Sequence, residues 1–208
     1  MSPVLGLVIA YLLGSIPAAY IAGRVCRGID LREHGSGNLG ATNVYRVMGG
    51  RVAALVMAFD IAKGAVPVLV LPRWTTGTGG GAWTSHWAIA YGIAAILGHV
   101  RSVYFLWRSG GKGVATAGGV FLALAPVPTL AALVVWGAVL FGTGFVSLAS
   151  LASAVALPIG VAVTQGVRSP VFGASLAVCA FVFWTHRANI GRLRRGEEHR
   201  FGRKKPAA

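Results

Sequence analysis

Residues 52–71 read "VAALVMAFDIAKGAVPVLVL". A helix of that length reaches about 30 Å, the thickness of the hydrocarbon core of a bilayer. Only Asp60 and Lys63 interrupt the apolar run, and their spacing puts them on one helical face. A lone charge at the bilayer centre costs about 2.5–3.5 kcal/mol on insertion scales, and pairing reduces that cost. The stretch therefore predicts a transmembrane helix carrying an internal ion pair. The pair is either a structural element or a support for a substrate and its loops.

The same pattern extends in both directions. Of the 208 residues, 55% are apolar and only 12% are charged, against about 25% charged in soluble domains. A first span is expected over about Pro3–Ile21 and a third over about His86–Leu106. The Gly-rich segment 72–85, "PRWTTGTGGGAWTS", reads as a flexible external loop. Residues 113–186 divide at Pro126 and Pro128, at "GTG" (142–144) and at "TQGVRSP" (164–170). The four pieces run to about 13, 14, 20 and 17 residues, the first two short for a bilayer. Four crossings there give seven in total; five with a re-entrant pair is the alternative. The fold class is thus an all-α integral membrane protein of about seven transmembrane helices. Residues 1–208 form one polytopic membrane domain with a basic cytoplasmic tail from about residue 190. The N-terminus lacks the leading positive charge of a signal peptide, so its apolar run reads as a first span entering from outside.

The formal charge of +14 would suit nucleic acid if it formed one patch. Instead, sixteen of the nineteen cations fall in residues 24–51, 101–112 and the tail from Arg187, each beside an apolar run. The positive-inside rule places those three segments in the cytoplasm, where anionic lipid attracts them. The expected surroundings are membrane lipid, not nucleic acid, and no obligate protein partner is evident. Cys26 and Cys179 belong to different depths and predict no disulfide.

Two turns stand out, "SGNLGATN" (36–43) and "SGGKGVAT" (109–116). Glycines let backbone N–H groups converge, and a helix start adds a favourable field, so such turns suit anions. Arg46 and Lys112 add fixed charge; Ser36, Asn38, Thr42 and Asn43 add donors. Gly35, Gly37 and Gly40 spell a dinucleotide fingerprint, with Asp60 at the distance of a ribose acid. Yet the polar "CRGIDLREH" precedes the turn where a buried strand is required, and Asp60 lies within a span. Nor is "GGKG" a Walker loop, because Gly113 replaces the Ser or Thr that holds magnesium. No histidine has Asp five residues on, so the His-x4-Asp dyad of common glycerolipid acyltransferases is missing. With only Asp30, Glu33, Asp60, Glu197 and Glu198 acidic, a carboxylate-rich metal site is not expected. Many cationic and amide donors with few general bases favour a phosphorylated substrate with a good leaving group, or one that supplies its own base. His99 and His186, each beside an arginine at a cytoplasmic helix end, carry more weight than His34, His86 and His199.

These motifs resemble the bacterial acyl-phosphate-dependent glycerol-3-phosphate acyltransferases along nearly the whole chain. The resemblance rests on "GSIPAAY" (14–20), "GSGNLGATNVYR" (35–46), "DIAKG" (60–64), "GH" (98–99), "GGKGVAT" (110–116), "GFVSLAS" (144–150) and "HRANIGRLRRGEE" (186–198). It implies a multi-pass enzyme of the bacterial cytoplasmic membrane, working at the cytoplasmic face without metal or other cofactor. The implied reaction moves a fatty acyl group from acyl phosphate to the 1-hydroxyl of glycerol 3-phosphate, giving lysophosphatidic acid and phosphate. Matched by position, Ser36, Lys112, His186 and Asn189 are implied as catalytic residues. Gly37, Asn38, Gly40, Thr42, Asn43, Arg46, Gly111 and Ser147 are implied to bind substrate and phosphate. The chain departs from the family pattern at Ser102, where proline is usual, and at Ser109, where lysine is. The loop from His99 to Lys112 is also one residue longer. A transporter of an anionic solute would spread polar residues through the membrane depth and show inverted repeats; here the polar motifs collect at one face. An acyltransferase with another donor or acceptor is the second rival.

Overall fold

The computed structural model describes residues 1–75, 82–107 and 110–202, with the backbone alone over 82–84. The external loop expected over 72–85 and the basic end of the tail thus lie partly outside the described residues, and Ser109 wholly so. Among the described residues the secondary structure is helical throughout, with no strand. Their contacts group into two compact units, Met1–Leu124 and Ala125–Ala208.

The first unit opens with α1 (Pro3–Ser15) and α2 (Ala18–Arg27), where the sequence predicts one uninterrupted span. The break falls at Ile16–Pro17, because proline lacks the N–H that would continue the ladder. The carbonyls freed there find side chains: Ser102 Oγ donates to Ser15 O at 2.7 Å and Lys63 Nζ to Ile16 O at 2.9 Å. Such substitution by neighbours is what makes a broken helix tolerable in a membrane. A 3-10 turn over Leu31–Glu33 leads to α3 (Ala41–Met48), which lies inside what the sequence presents as a loop. Gly40 and Gly49 bound α3, and its inner face buries Asn43, Val44 and Met48.

The decisive stretch forms α4 (Gly50–Thr75), followed by α5 (Ala82–Val100) and α6 (Val114–Leu124). The third span is expected to reach Leu106, but helix gives way at Val100 to a 3-10 turn over Val103–Phe105. Leu106 and Trp107 then take left-handed φ values of 50° and 63°. Helix α4 packs on α5 and α6, and α1 on α5. The α4–α6 approach is close because a methyl at Gly64 would overlap the Thr116 carbonyl and one at Gly119 the Ile61 carbonyl. Small residues do this in membranes, where no hydrophobic force drives helices together.

The second unit contains α7 (Pro126–Thr143), α8 (Val146–Gln165), α9 (Pro170–Thr185) and α10 (Arg187–Arg194). By sequence, Pro126 and Pro128 break the apolar run and leave a short piece. In the structure they occupy the first turn of α7, where a missing N–H costs nothing, so α7 reaches 18 residues. Gly144, left-handed at φ 79°, caps α7 and turns the chain into α8. Five segments among the described residues are long and apolar enough to cross a membrane: Pro3–Arg27, Gly50–Thr75, Ser85–Phe105, Pro126–Thr143 and Val146–Gln165. A sixth is possible if α9 and α10, bent by 59°, count as one; α6 is a shorter apolar helix.

Candidate active site

In the first unit the two glycine-rich turns meet: Asn38 Nδ2 donates to Gly110 O at 3.3 Å. Asn43 has a different job. Almost fully buried, its Oδ1 accepts from Ser36 N at 2.8 Å, and its Nδ2 donates to His34 O at 3.0 Å and Leu31 O at 3.5 Å. One side chain on α3 therefore closes the turn that precedes it, leaving Ser36 exposed at its tip. Gly37 sits in that turn, Gly40 at the start of α3, Thr42 half-buried in its first turn, and Arg46 exposed in its last. The approach to the turn is anchored by Asp30, which caps the 3-10 turn through Arg32 N. Its carboxylate also meets Arg32 Nη2 at 2.6 Å and Arg24 Nη2 at 3.2 Å. The hydrogen bond from Arg32 is the main reason the Asp30 carboxyl is lowered to about 2. Arg32 in turn stacks over Tyr20 and Phe105.

The second turn rests on a buried cluster. Gly111 N donates to His99 O at 3.2 Å, and the His99 ring lies so close to the Gly111 Cα that a methyl there would overlap its Nε2. On its other edge, His99 Nδ1 stands 3.5 Å from Asp60 Oδ1, which Lys63 Nζ approaches at 2.7 Å. Asp60, Lys63 and His99 are all buried. Lys63, His99, Ser102, Phe105, Gly110 and Gly111 line a small pocket beside the break in the first span. Lys112 follows, half-buried, and Gly113 leads into α6. Ser102, where the resemblance leads one to expect proline, is itself a buried donor to Ser15 O.

In the second unit the expected residues gather around one carboxylate. Ser147 Oγ donates to Glu198 Oε1 at 2.9 Å, Asn189 Nδ2 to the same oxygen at 2.6 Å, and Arg192 Nε to Oε2 at 2.6 Å. Burial alone would raise the Glu198 carboxyl, but the bonds from Asn189, Arg192 and Ser147 prevail and hold it below its ordinary value. The sequence offers Glu198 only as one of five acids; its place between three donors depends on the tail folding back, fixed by Phe201 N on Gly144 O at 2.7 Å. His186 is buried at the α9–α10 junction, with Nδ1 2.9 Å from Val182 O. A carbonyl only accepts, so Nδ1 carries a hydrogen, and that bond fixes the orientation of the ring.

The unit-one arrangement offers backbone amides, a lysine and an arginine to an anion; the unit-two arrangement adds the Asn189 amide and an oriented imidazole, beside a carboxylate that engages the Ser147 hydroxyl. Such donors can hold phosphate and steady charge as it develops. Residues 4–196 match the family model described as glycerol-3-phosphate acyltransferase. A glycerol-3-phosphate acyltransferase of Geobacter sulfurreducens is 43% identical over 194 residues, covering 93% of this chain and 94% of the relative. Two crystal structures of PlsY (YgiH), an integral membrane glycerol 3-phosphate acyltransferase, share the fold at TM-scores of 0.85 and 0.83, each 36% identical. They cover 96% of this chain and 96% and 95% of theirs; one is the glycerol 3-phosphate form, the other the lysophosphatidic acid form. With its family match spanning nearly all of its length, the chain belongs to the glycerol-3-phosphate acyltransferases, an integral membrane enzyme family.

Proposed function

We propose that this chain transfers a fatty acyl group from acyl phosphate to the 1-hydroxyl of glycerol 3-phosphate, releasing lysophosphatidic acid and inorganic phosphate. The observation that carries this reading is the pairing of two glycine-rich turns through Asn38 and Gly110, with Arg46 and Lys112 as their cations. The 1-hydroxyl attacks the acyl carbonyl, the new ester C–O bond forms, and the bond from the acyl carbon to the phosphate oxygen breaks. Phosphate leaves, and one of its own oxygens takes the hydroxyl proton. That route suits a chain with few general bases. Arg46 and Lys112 hold phosphoryl groups and spread the growing negative charge. Gly37, Gly40 and Gly111 let backbone amides approach them, with Asn38 and Thr42 as further donors. Ser36 and Asn189 orient the donor or the glycerol hydroxyl, and His186 binds the glycerol phosphate. Asn43 and Ser147 position: the first closes its turn, the second supports the carboxylate that holds Asn189.

The chain works as one polytopic domain of the bacterial cytoplasmic membrane. Counting α6 as a short crossing and α9 as another gives seven, with the N-terminus outside and the tail and polar turns in the cytoplasm. The distribution of Lys and Arg supports that orientation. Cys26 is exposed at the end of α2, so an impermeant thiol reagent should label it only after permeabilisation of intact cells. Labelling from outside would reverse the topology. For the activity, the purified protein is incubated with radiolabelled glycerol 3-phosphate and acyl phosphate. Labelled lysophosphatidic acid is expected; its absence in that assay, or its formation from acyl-CoA alone, would overturn the reading of the donor.

A further inference from the structure

We propose that His99, held by Asp60 and Lys63, is a positioning residue that sets the height of the Gly110–Lys112 turn; the purpose assigned to that turn rests on the proposed phosphate-binding role of Lys112. Three observations converge. First, the ring of His99 is the floor of the turn: it leaves no room for a side chain at Gly111. Gly111 has no positive φ, so its lack of a side chain answers to that ring and not to backbone conformation. Second, His99 is anchored on its far edge by Asp60, and Asp60 by Lys63, whose ammonium also donates to the carbonyl freed at the helix break. Third, α4 supports the turn again beyond Lys112, because Gly64 seats the Thr116 carbonyl of α6. The ion pair on α4 therefore connects the break in the first span, the end of α5 and the turn carrying Lys112. A pair with only a stabilising role would not need an imidazole interposed between it and a turn.

The test separates support from mere stability. Asp60→Leu combined with Lys63→Met replaces the ion pair by apolar side chains of similar volume, a change that proteins often tolerate without loss of stability; the Ile16 carbonyl loses the Lys63 ammonium but keeps its bond from Ala18 N at 3.1 Å. Misplacing a reacting group by about 1 Å can cost about 10²-fold in rate. With acyl phosphate saturating, this variant should unfold in detergent within a few degrees of the wild type, yet lose about tenfold or more in kcat, while KM for glycerol 3-phosphate changes less than about twofold. Wild-type kcat in the folded variant would overturn the proposal. A second arm does not depend on that variant folding. Gly111→Ala and His99→Ala are measured singly and together, by thermal unfolding and by kcat. Because His99→Ala makes room for the new methyl, the double variant should be more active than Gly111→Ala alone by about tenfold; strictly multiplicative losses in kcat would sink the idea. If Lys112→Ala, run in parallel, keeps full turnover, the phosphate-binding reading fails, while the unfolding cycle still reports whether ring and turn are coupled.

Discussion

The two glycine-rich turns look like near repeats in the sequence, yet they are held in opposite ways. The first, over 36–43, is braced locally. Asn43 reaches back from α3 to three backbone groups between Leu31 and Ser36, and Asp30 gathers Arg24 and Arg32 just upstream. The second, over 110–116, is braced from below by His99, whose own support lies in the middle of α4. One turn is fixed by residues within seven to twelve positions; the other depends on three helices. Shared glycines thus report a shared task, a backbone open to an anion, without a shared means of holding it.

The sharpest way to break the comparison is to remove the second turn's cation. Lys112→Ala should abolish turnover, by about 10³-fold or more, since loss of a single charge-stabilising donor already costs about 10²–10³. The variant should remain folded in detergent, judged by its elution as a single species. Near-normal activity would contradict a phosphate-clamping role and leave the first turn as the principal anion site. Next in size is the local brace. Asn43→Ala strips a buried amide from three backbone partners, and buried groups left unsatisfied cost about 1–3 kcal/mol each. A fall of about 10–100-fold in kcat with a lower unfolding temperature is expected, and Asn43→Asp, which keeps the acceptor for Ser36 N but loses the donor, should fall between. If Asn43→Ala matches the wild type in both measures, the first turn is held by something other than its own helix.

How far the turns are legible in the sequence follows from the same contrast. The ion pair and the span around it can be read at 52–71 because apolar length and helical spacing are local properties. The break at Ile16–Pro17 reads as continuous helix, since its tolerance depends on Lys63 and Ser102 supplying bonds from far along the chain. Helix α3 escapes notice because eight amphipathic residues between glycines carry less signal than an apolar run of bilayer length. Pro126 and Pro128 read as breakers, but their position in a first turn makes them starters. At the site, the polar motif residues are visible as residue types, but their groupings are not. Glu198 joins Ser147 across 51 positions, and nothing near either residue announces the partner.

The two turns also differ in how the chain enters the helix that follows. Gly40 does so extended, at φ −108°, whereas Gly113 is left-handed at φ +83°. A side chain in the left-handed region costs about 1–2 kcal/mol. Gly113→Ala should therefore lower stability by about that much through the backbone, while Gly40→Ala avoids this cost and meets only the end of the Asn38 side chain. Thermal unfolding of the two variants decides it: equal losses would show that the backbone difference is immaterial.

The smallest expected effect comes from acid. Asp30 has its folded-state carboxyl lowered to about 2 from an ordinary 3.8, mainly by the Arg32 hydrogen bond. A lowered carboxyl binds its proton less readily in the folded turn than in the unfolded chain, so its contribution is complete above about pH 4 and fades as the pH falls toward 2. The arginines are well exposed and water screens them, which keeps the contribution small. Hydrogen exchange of the amides over 31–38 should be faster in Asp30→Asn than in the wild type at pH 5, after correction for intrinsic rates, with the two converging near pH 2. The second turn, whose carboxylate is buried in α4, should show no such dependence on Asp30. A difference at residues 31–38 that persists unchanged at pH 2 would mean that Asp30 acts through its shape and its contacts with Arg32 N, and that charge adds nothing to the local brace.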